Sequence, residues 1–238
     1  IAAGETVGII GGTGSGKSSL VQLIPRLYDV SSGRVLLGGV DVQQQSLAEL
    51  RSKVAIVLQK NLLFSGTILE NLRWGNPEAS QAEVEAACRS AAAHDFILSL
   101  PQGYQTMLGQ GGVNLSGGQK QRLCIARALL RQAAVIILDD STSAVDTATD
   151  KQIRQALAAE SRSRKVTTLI VAQRIASVQE ADKIVVLDGG RIDGVGTHAE
   201  LLANNHIYQE VYYSQQSSSQ QSCSQQNFVQ KGVAEIGG

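Results

Sequence analysis

What this chain lacks excludes several classes of protein before any motif is read. Its longest apolar stretches run to about six residues, far short of the roughly 20 an α-helix needs to cross a bilayer, so this segment is not expected to enter a membrane directly. A surplus of one charge is also missing. Its 21 basic residues match 21 acidic ones for a formal net charge of zero, which argues against nucleic acid or an anionic lipid surface as the main partner. Cysteine is scarce and odd in number (Cys88, Cys124 and Cys223), without metal-ligand spacing, a usage suited to a reducing compartment. Cys88 and Cys124 fall in helical patterns and are expected to fill core. His94, His198 and His206 also lack metal spacing, lie in polar helical stretches and are expected to be solvated. What is present is 43% hydrophobic, ample for the core of one large or two small α/β domains at this length.

Short β-branched runs recur at Val7 to Ile10, Val35 to Leu37, Val54 to Leu58, Val135 to Leu138, Thr167 to Ala172 and Lys183 to Leu187. Continuous rather than alternating, they predict parallel strands buried on both faces, and the helical patterns between them predict a wound α/β sheet. Residues of about 60–132 change to mostly helical patterning, with an amphipathic stretch from Gln81 to Ser99 that Pro101-Gln102-Gly103 ends, and predict an inserted helical subdomain. From Ser214 to Gly238 the composition shifts towards Ser and Gln, too polar to offset ordering entropy, so 1–213 is expected to be the domain and 214–238 a disordered tail. Ile1-Ala2-Ala3-Gly4-Glu5 carry neither an initiator Met nor a signal-peptide pattern and read as a turn inside a folded domain, which predicts a fragment.

The chemistry concentrates in three places. Gly11-Gly12-Thr13-Gly14-Ser15-Gly16-Lys17-Ser18 follows the first strand and precedes a helix expected from Ser18 to Leu27, with Ser19 in its first turn. Glycines let successive N–H groups curl around a phosphate, the helix start adds its positive dipole, Lys17 supplies charge and the Ser18 hydroxyl a Mg²⁺ ligand. Val135-Ile136-Ile137-Leu138-Asp139 is a buried strand ending in a carboxylate that can hold Mg²⁺ or its water shell. Leu115-Ser116-Gly117-Gly118-Gln119 opens an amphipathic helix whose Ser116 caps it and whose glycine N–H groups form a second anion site.

With these motifs the sequence resembles the nucleotide-binding domain of exporter-type ABC transporters from Ile1 to about Tyr213. Gln59 in Val57-Leu58-Gln59-Lys60, the phrase Phe64-Ser65-Gly66-Thr67-Ile68-Leu69-Glu70-Asn71-Leu72, and Ser143-Ala144-Val145-Asp146 extend the match. The resemblance implies a P-loop NTPase fold with a RecA-like parallel core, an inserted helical subdomain and antiparallel N-terminal strands that lie before Ile1. It implies ATP and Mg²⁺ as cofactors, with Ser18, Gln59 and Asp139 on the metal. A second nucleotide-binding domain is the implied partner, bound head to tail so that Ser116 to Gln119 and Asp146 act on the opposite ATP. The Phe64 to Leu72 segment would meet the coupling helices of transmembrane domains, placing the domain at the cytoplasmic face of the membrane. The aromatic residue that stacks on adenine would precede Ile1.

The chain departs from that family where the attacking water is handled. Most active members have Glu after the Mg²⁺ aspartate, and here Asp140 is one methylene shorter; where the family has His near the end of the switch strand, Gln173 stands. Gln can hydrogen-bond a γ-phosphate but cannot relay a proton. Together these changes predict an ABC-type transport ATPase of low activity at its own site, paired with a different, competent subunit. Gln110 stands where exporters often carry Glu in the loop that the resemblance implies meets the coupling helices, a departure in the polarity expected of that contact. Rival readings are a regulatory ATP-binding module and a DNA-repair ATPase, the latter calling for a long coiled-coil or basic insertion between Gln59 and Leu115 that the sequence does not contain.

Overall fold

A computed structural model describes residues 1–141 and 144–217; Ser143, Cys223 and the tail from 218 onward lie outside the described residues. In chain order the strands are β1 (Thr6–Gly11), β2 (Leu36–Leu37), β3 (Val40–Asp41), β4 (Val54–Val57), β5 (Gly66–Thr67), β6 (Met107–Leu108), β7 (Val135–Asp139), β8 (Thr167–Val171), β9 (Lys183–Asp188) and β10 (Arg191–Gly196). Among the described residues, six form one sheet in the order β10-β9-β1-β8-β7-β4, parallel except for β10 against β9. The helices are α1 (Lys17–Gln22), α2 (Leu47–Lys53), α3 (Ile68–Arg73), α4 (Gln81–Ser90), α5 (His94–Ser99), α6 (Gly117–Leu130), α7 (Thr147–Arg164), α8 (His198–Asn204) and α9 over 206–217.

Successive side chains of a strand point to opposite faces, and the strands divide accordingly. Ile9, Val54, Val135, Ile137, Leu169 and Val171 pack with Val21 of α1 on one side. Ile10, Ala55, Ile136, Leu138 and Ile170 face the other, in one apolar cluster with Leu72, Val84, Ile97, Leu123, Ile153 and Tyr208. Both faces are therefore apolar, which is why these runs show no polar alternation. The helices between β4 and β7 share that second cluster with the sheet. Cys88 and Cys124 sit in it as free thiols; burial pushes the Cys88 thiol up to about 11 and raises that of Cys124 as well.

Several expectations are corrected. Val35 to Leu37 does not join the wound sheet: Leu36–Leu37 pairs with Val40–Asp41 in a hairpin, because Gly38 and Gly39, at φ 61° and 81°, form a two-residue turn that feeds the chain back on itself. β10 was not anticipated, since Arg191-Ile192-Asp193-Gly194-Val195-Gly196 is an exposed edge with little apolar content. α1 ends at Gln22 rather than Leu27; Pro25 disfavours helical geometry at Ile24, and Arg26 turns to φ 54°. The Gln81 to Ser99 stretch is two helices, because Ala92 at φ 52° reverses the chain between buried Ala91 and Ala93. Two histidines are not bystanders. His94 Nδ1 lies 2.9 Å from the Tyr104 hydroxyl and His198 Nδ1 2.7 Å from that of Tyr208, both tyrosines being buried and in need of a polar partner. Finally, 214–217, read as the start of the tail, continue α9.

Candidate nucleotide site

β1 delivers the chain to the cradle at a position only glycine can hold: Gly11 has φ 157°, and a Cβ there would lie 2.1 Å from the Leu187 carbonyl oxygen. Gly14 and Gly16 follow at φ 80° and 91°. Gly16 is the N-cap of α1 and brings no capping side chain, so the first N–H groups of that helix have no local acceptor of that kind. Gly12, Thr13, Gly14 and Ser19 are exposed, while Ser15 is buried. The Lys17 ammonium donates to the carbonyls of Gly11 and Gly12, both at 2.8 Å, and to Ser15 Oγ at 3.4 Å. Burial holds Lys17 below the usual lysine range, with Asp140 and Asp139 acting in the opposite sense.

The Ser18 hydroxyl donates to Asp139 Oδ1 at 2.8 Å. Helix start and strand tip thus bring together a hydroxyl oxygen and a carboxylate that is only 2% exposed. Burial raises the Asp139 carboxyl above its ordinary value, the Ser18 bond working against it. Among the described residues no group of three or more His, Cys, Asp or Glu converges as a metal cage. One carboxylate and one hydroxyl fit Mg²⁺, a hard cation that usually keeps several waters and takes its remaining oxygens from substrate phosphates.

Beside them a second cluster forms around Asp140. Its backbone is left-handed, at φ 48°, a conformation Asp tolerates better than most residues, and its N–H extends the sheet by donating to the Val171 carbonyl at 3.0 Å. Gln173 Nε2 donates to Asp140 Oδ2 at 2.8 Å and Gln59 Nε2 to the same oxygen at 3.2 Å. Asp140 and Gln173, the two residues singled out by sequence at the water-handling positions, therefore meet, and Gln59, expected as a Mg²⁺ ligand, joins them at the same oxygen. The amide nitrogen of Gln59 is engaged there; its carbonyl oxygen is the atom a metal role would use.

The second helix start is built differently. Ser116 caps α6 by accepting from Gln119 N at 3.2 Å, and Gln119 Oε1 accepts from Ser116 N at 2.9 Å, a closed capping box. The glycines let another segment lie against this start: a Cβ on Gly118 would be 2.9 Å from the Ala144 carbonyl oxygen. Gln121, which with Lys120 and Arg122 continues the Leu115 to Gln119 match in sequence, is buried and accepts from Ala144 N at 3.2 Å. That role was missed because a polar residue on an amphipathic helix carries no signal of inward orientation. Asp146 caps α7 through Thr149 N at 3.0 Å, and hydrogen bonds from Thr149 hold its carboxyl below the usual range.

Away from the cradle, Phe64 and Trp74 stack with centroids 4.2 Å apart while both remain exposed. They border an apolar groove of about 400 Å³ that also includes Leu62, Arg127 and Arg131. Gln110 is exposed in the turn before α6.

The family pattern described as ABC transporter matches residues 1–143. The chain is 48% identical over 215 residues to a putative multidrug export ATP-binding/permease protein of Staphylococcus aureus, covering 90% of this chain and 37% of that protein. It is 47% identical over 212 residues to an ATP-dependent lipid A-core flippase of Chromohalobacter salexigens, covering 89% and 36%. Among solved structures it is similar to a bacterial Atm1-family ABC exporter with ATP bound, at 40% identity and a TM-score of 0.86 over 90% of this chain and 37% of that one. The chain thus spans little more than a third of the length of the relatives it matches. On these grounds, with a largely parallel sheet, a glycine cradle and an Asp-tipped strand two places along the sheet from the cradle strand, the chain belongs to the ABC transporter family as one of its nucleotide-binding ATPase domains.

Proposed function

We propose that this domain powers an exporter, that it binds MgATP at its own cradle but hydrolyses it slowly, and that its α6 start completes a competent site on a second, different nucleotide-binding domain. The observation that carries the slow-site reading is the convergence on Asp140 Oδ2, where the amides of Gln59 and Gln173 both donate. Hydrolysis joins a water oxygen to the γ-phosphorus as the bond to the departing ADP oxygen breaks, and the water's proton needs a base in reach. Asp140 is shorter than Glu and its Oδ2 is already engaged by two donors, while the Gln173 carboxamide can neither accept nor pass on a proton.

The other roles follow the chemistry of each group. Lys17 turns from the loop carbonyls to the β- and γ-phosphate oxygens, and the N–H groups from Gly12 to Ser18 line the phosphate path. Ser18 and Asp139, with the carbonyl oxygen of Gln59, would hold Mg²⁺, which when bound neutralises charge on the phosphates. Ser116 to Gln119 and Asp146 face the opposite nucleotide in a head-to-tail pair. The exposed Phe64–Trp74 stack and its groove suit apolar coupling helices of transmembrane domains, with the domain at the cytoplasmic face of the membrane; the multidrug and lipid A-core relatives support an export role.

The test restores Asp140→Glu and Gln173→His together in the assembled pair and measures phosphate release per dimer. Because the partner's site already turns over, the expected result is an added rate comparable to that site's own, with turnover at this cradle itself rising on the order of 100-fold or more, the scale of a well-placed general base. An unchanged rate means that neither substitution limits turnover and that this account of the site is wrong.

A further inference from the structure

Among the described residues, α9 meets the loop that carries Gln173 through the side chain of Gln215. Gln215 Oε1 accepts from Ile175 N at 2.9 Å, and Gln215 Nε2 donates to the Gln173 carbonyl at 2.7 Å. Those two groups flank Arg174, which is extended at φ −95°, ψ 126°. A C=O and an N–H on either side of one extended residue are what a neighbouring parallel strand would engage, so the carboxamide acts as a single peptide unit added beyond the end of β8. Ile175 is buried, and leaving its N–H without an acceptor is costly. The bracketed segment begins with Gln173, whose side chain holds Asp140 Oδ2 at 2.8 Å.

The rest of α9 is anchored independently. Tyr208 is fully buried with its hydroxyl on His198, and Ile207, Val211 and Tyr212 pack against the core. Near Gln215 the packing is open instead. A cavity of about 660 Å³ lies among Thr147, Asp150, Ser177, Tyr212 and Gln215, so apolar contact does little to fix the distance between the end of α9 and the loop.

We propose that Gln215 is a positioning residue: by bracketing Gln173 and Ile175 it lets the docking of the C-terminal helix set the place of the loop that carries Gln173, and with it nucleotide affinity. The proposal rests on the reading of Gln173 as a γ-phosphate contact. Undocking of the last turns of α9 would loosen the nucleotide site without touching the cradle.

The test uses the full chain with Gln215→Met, which keeps length and removes both bonds. Gln215→Glu keeps the acceptor for Ile175 N–H and loses the donor to Gln173. Amide exchange over residues 171–180 and MgATP affinity are measured with Gln173→Ala alone and combined with Gln215→Met. Gln215→Met is expected to speed exchange at Ile175 roughly tenfold and to weaken MgATP several-fold, with Gln215→Glu intermediate in exchange. In the Gln173→Ala background Gln215→Met should change affinity no further, a non-additivity that general destabilisation of α9 would not produce. Unchanged exchange, or faster exchange with full affinity while Gln173→Ala weakens binding, overturns the proposal. If Gln173→Ala itself leaves affinity intact, the reading of Gln173 fails first and the role of Gln215 falls with it. Should Gln215→Met lower the melting temperature strongly, Gln215→Glu decides by the same two readouts.

Discussion

Glycine sits at the start of both α1 and α6, as the N-cap of one and the first residue of the other, and the two starts are finished in opposite ways. α1 has Gly16 at its N-cap with no capping side chain, and its nearest cation, Lys17, is folded back onto the carbonyls of its own loop. α6 begins with a closed Ser116–Gln119 box and lies against the segment containing Ala144. The first start leaves its donors to water or to an incoming anion; the second carries its own cap and exposes Ser116 and Gly117 to whatever a neighbouring molecule brings. The difference teaches that glycine at a helix start does not by itself define a resident phosphate site. What matters is whether the chain supplies its own cap.

The comparison breaks most easily at Lys17. Lys17→Ala should weaken MgATP binding about 100-fold, the loss of a charge-assisted contact to phosphate, while the unliganded melting temperature hardly moves; titration calorimetry reads the first and scanning calorimetry the second, and retained affinity would remove α1 as the anion site. Next comes Gly118→Ala, whose new methyl would sit 2.9 Å from the Ala144 carbonyl. It should destabilise the chain by about 1–3 kcal/mol in urea unfolding and abolish activation of a partner domain, leaving affinity at its own cradle unchanged. Ser116→Ala should cost about 1 kcal/mol through the lost cap, or roughly 2–4 °C in melting temperature, again without effect on its own cradle.

The smallest effect sharpens the contrast through pH. Burial raises the Asp139 carboxyl in the fold above its ordinary 3.8, so between these two values the folded state holds more protons than the unfolded one. This group's contribution then falls as pH rises through that window. Asp139→Asn should flatten that part of the unfolding profile and raise the unliganded melting temperature at neutral pH, while losing the effect of Mg²⁺ on nucleotide binding.

Much of this was legible in the chain because the relevant signals are local. The β-branched runs marked β1, β4, β7, β8 and β9, and the Gly11 to Ser18 spacing marked a strand, turn and helix whose Ser18 does meet Asp139. What could not be read depends on distant contacts or on turns that oppose the pattern. Gly38-Gly39 diverted Val35 to Leu37 into a hairpin, Ala92 reversed an uninterrupted amphipathic stretch, and β10 is an edge whose pairing owes little to apolar content. The roles of Gln121 and Gln215 escaped notice for one reason: a glutamine's value lies in the backbone it meets, here 23 and 40 residues away in sequence. Gln215 was further disguised by a Ser/Gln-rich composition that reads as tail.

The central claim is that this site holds a triphosphate without breaking it quickly. The direct measurement loads the full chain, without a partner, with MgATP, removes the free nucleotide and identifies what remains bound after a prolonged incubation. Intact ATP as the predominant species is the predicted result; ADP as the predominant species, with phosphate released by the chain alone, would contradict it.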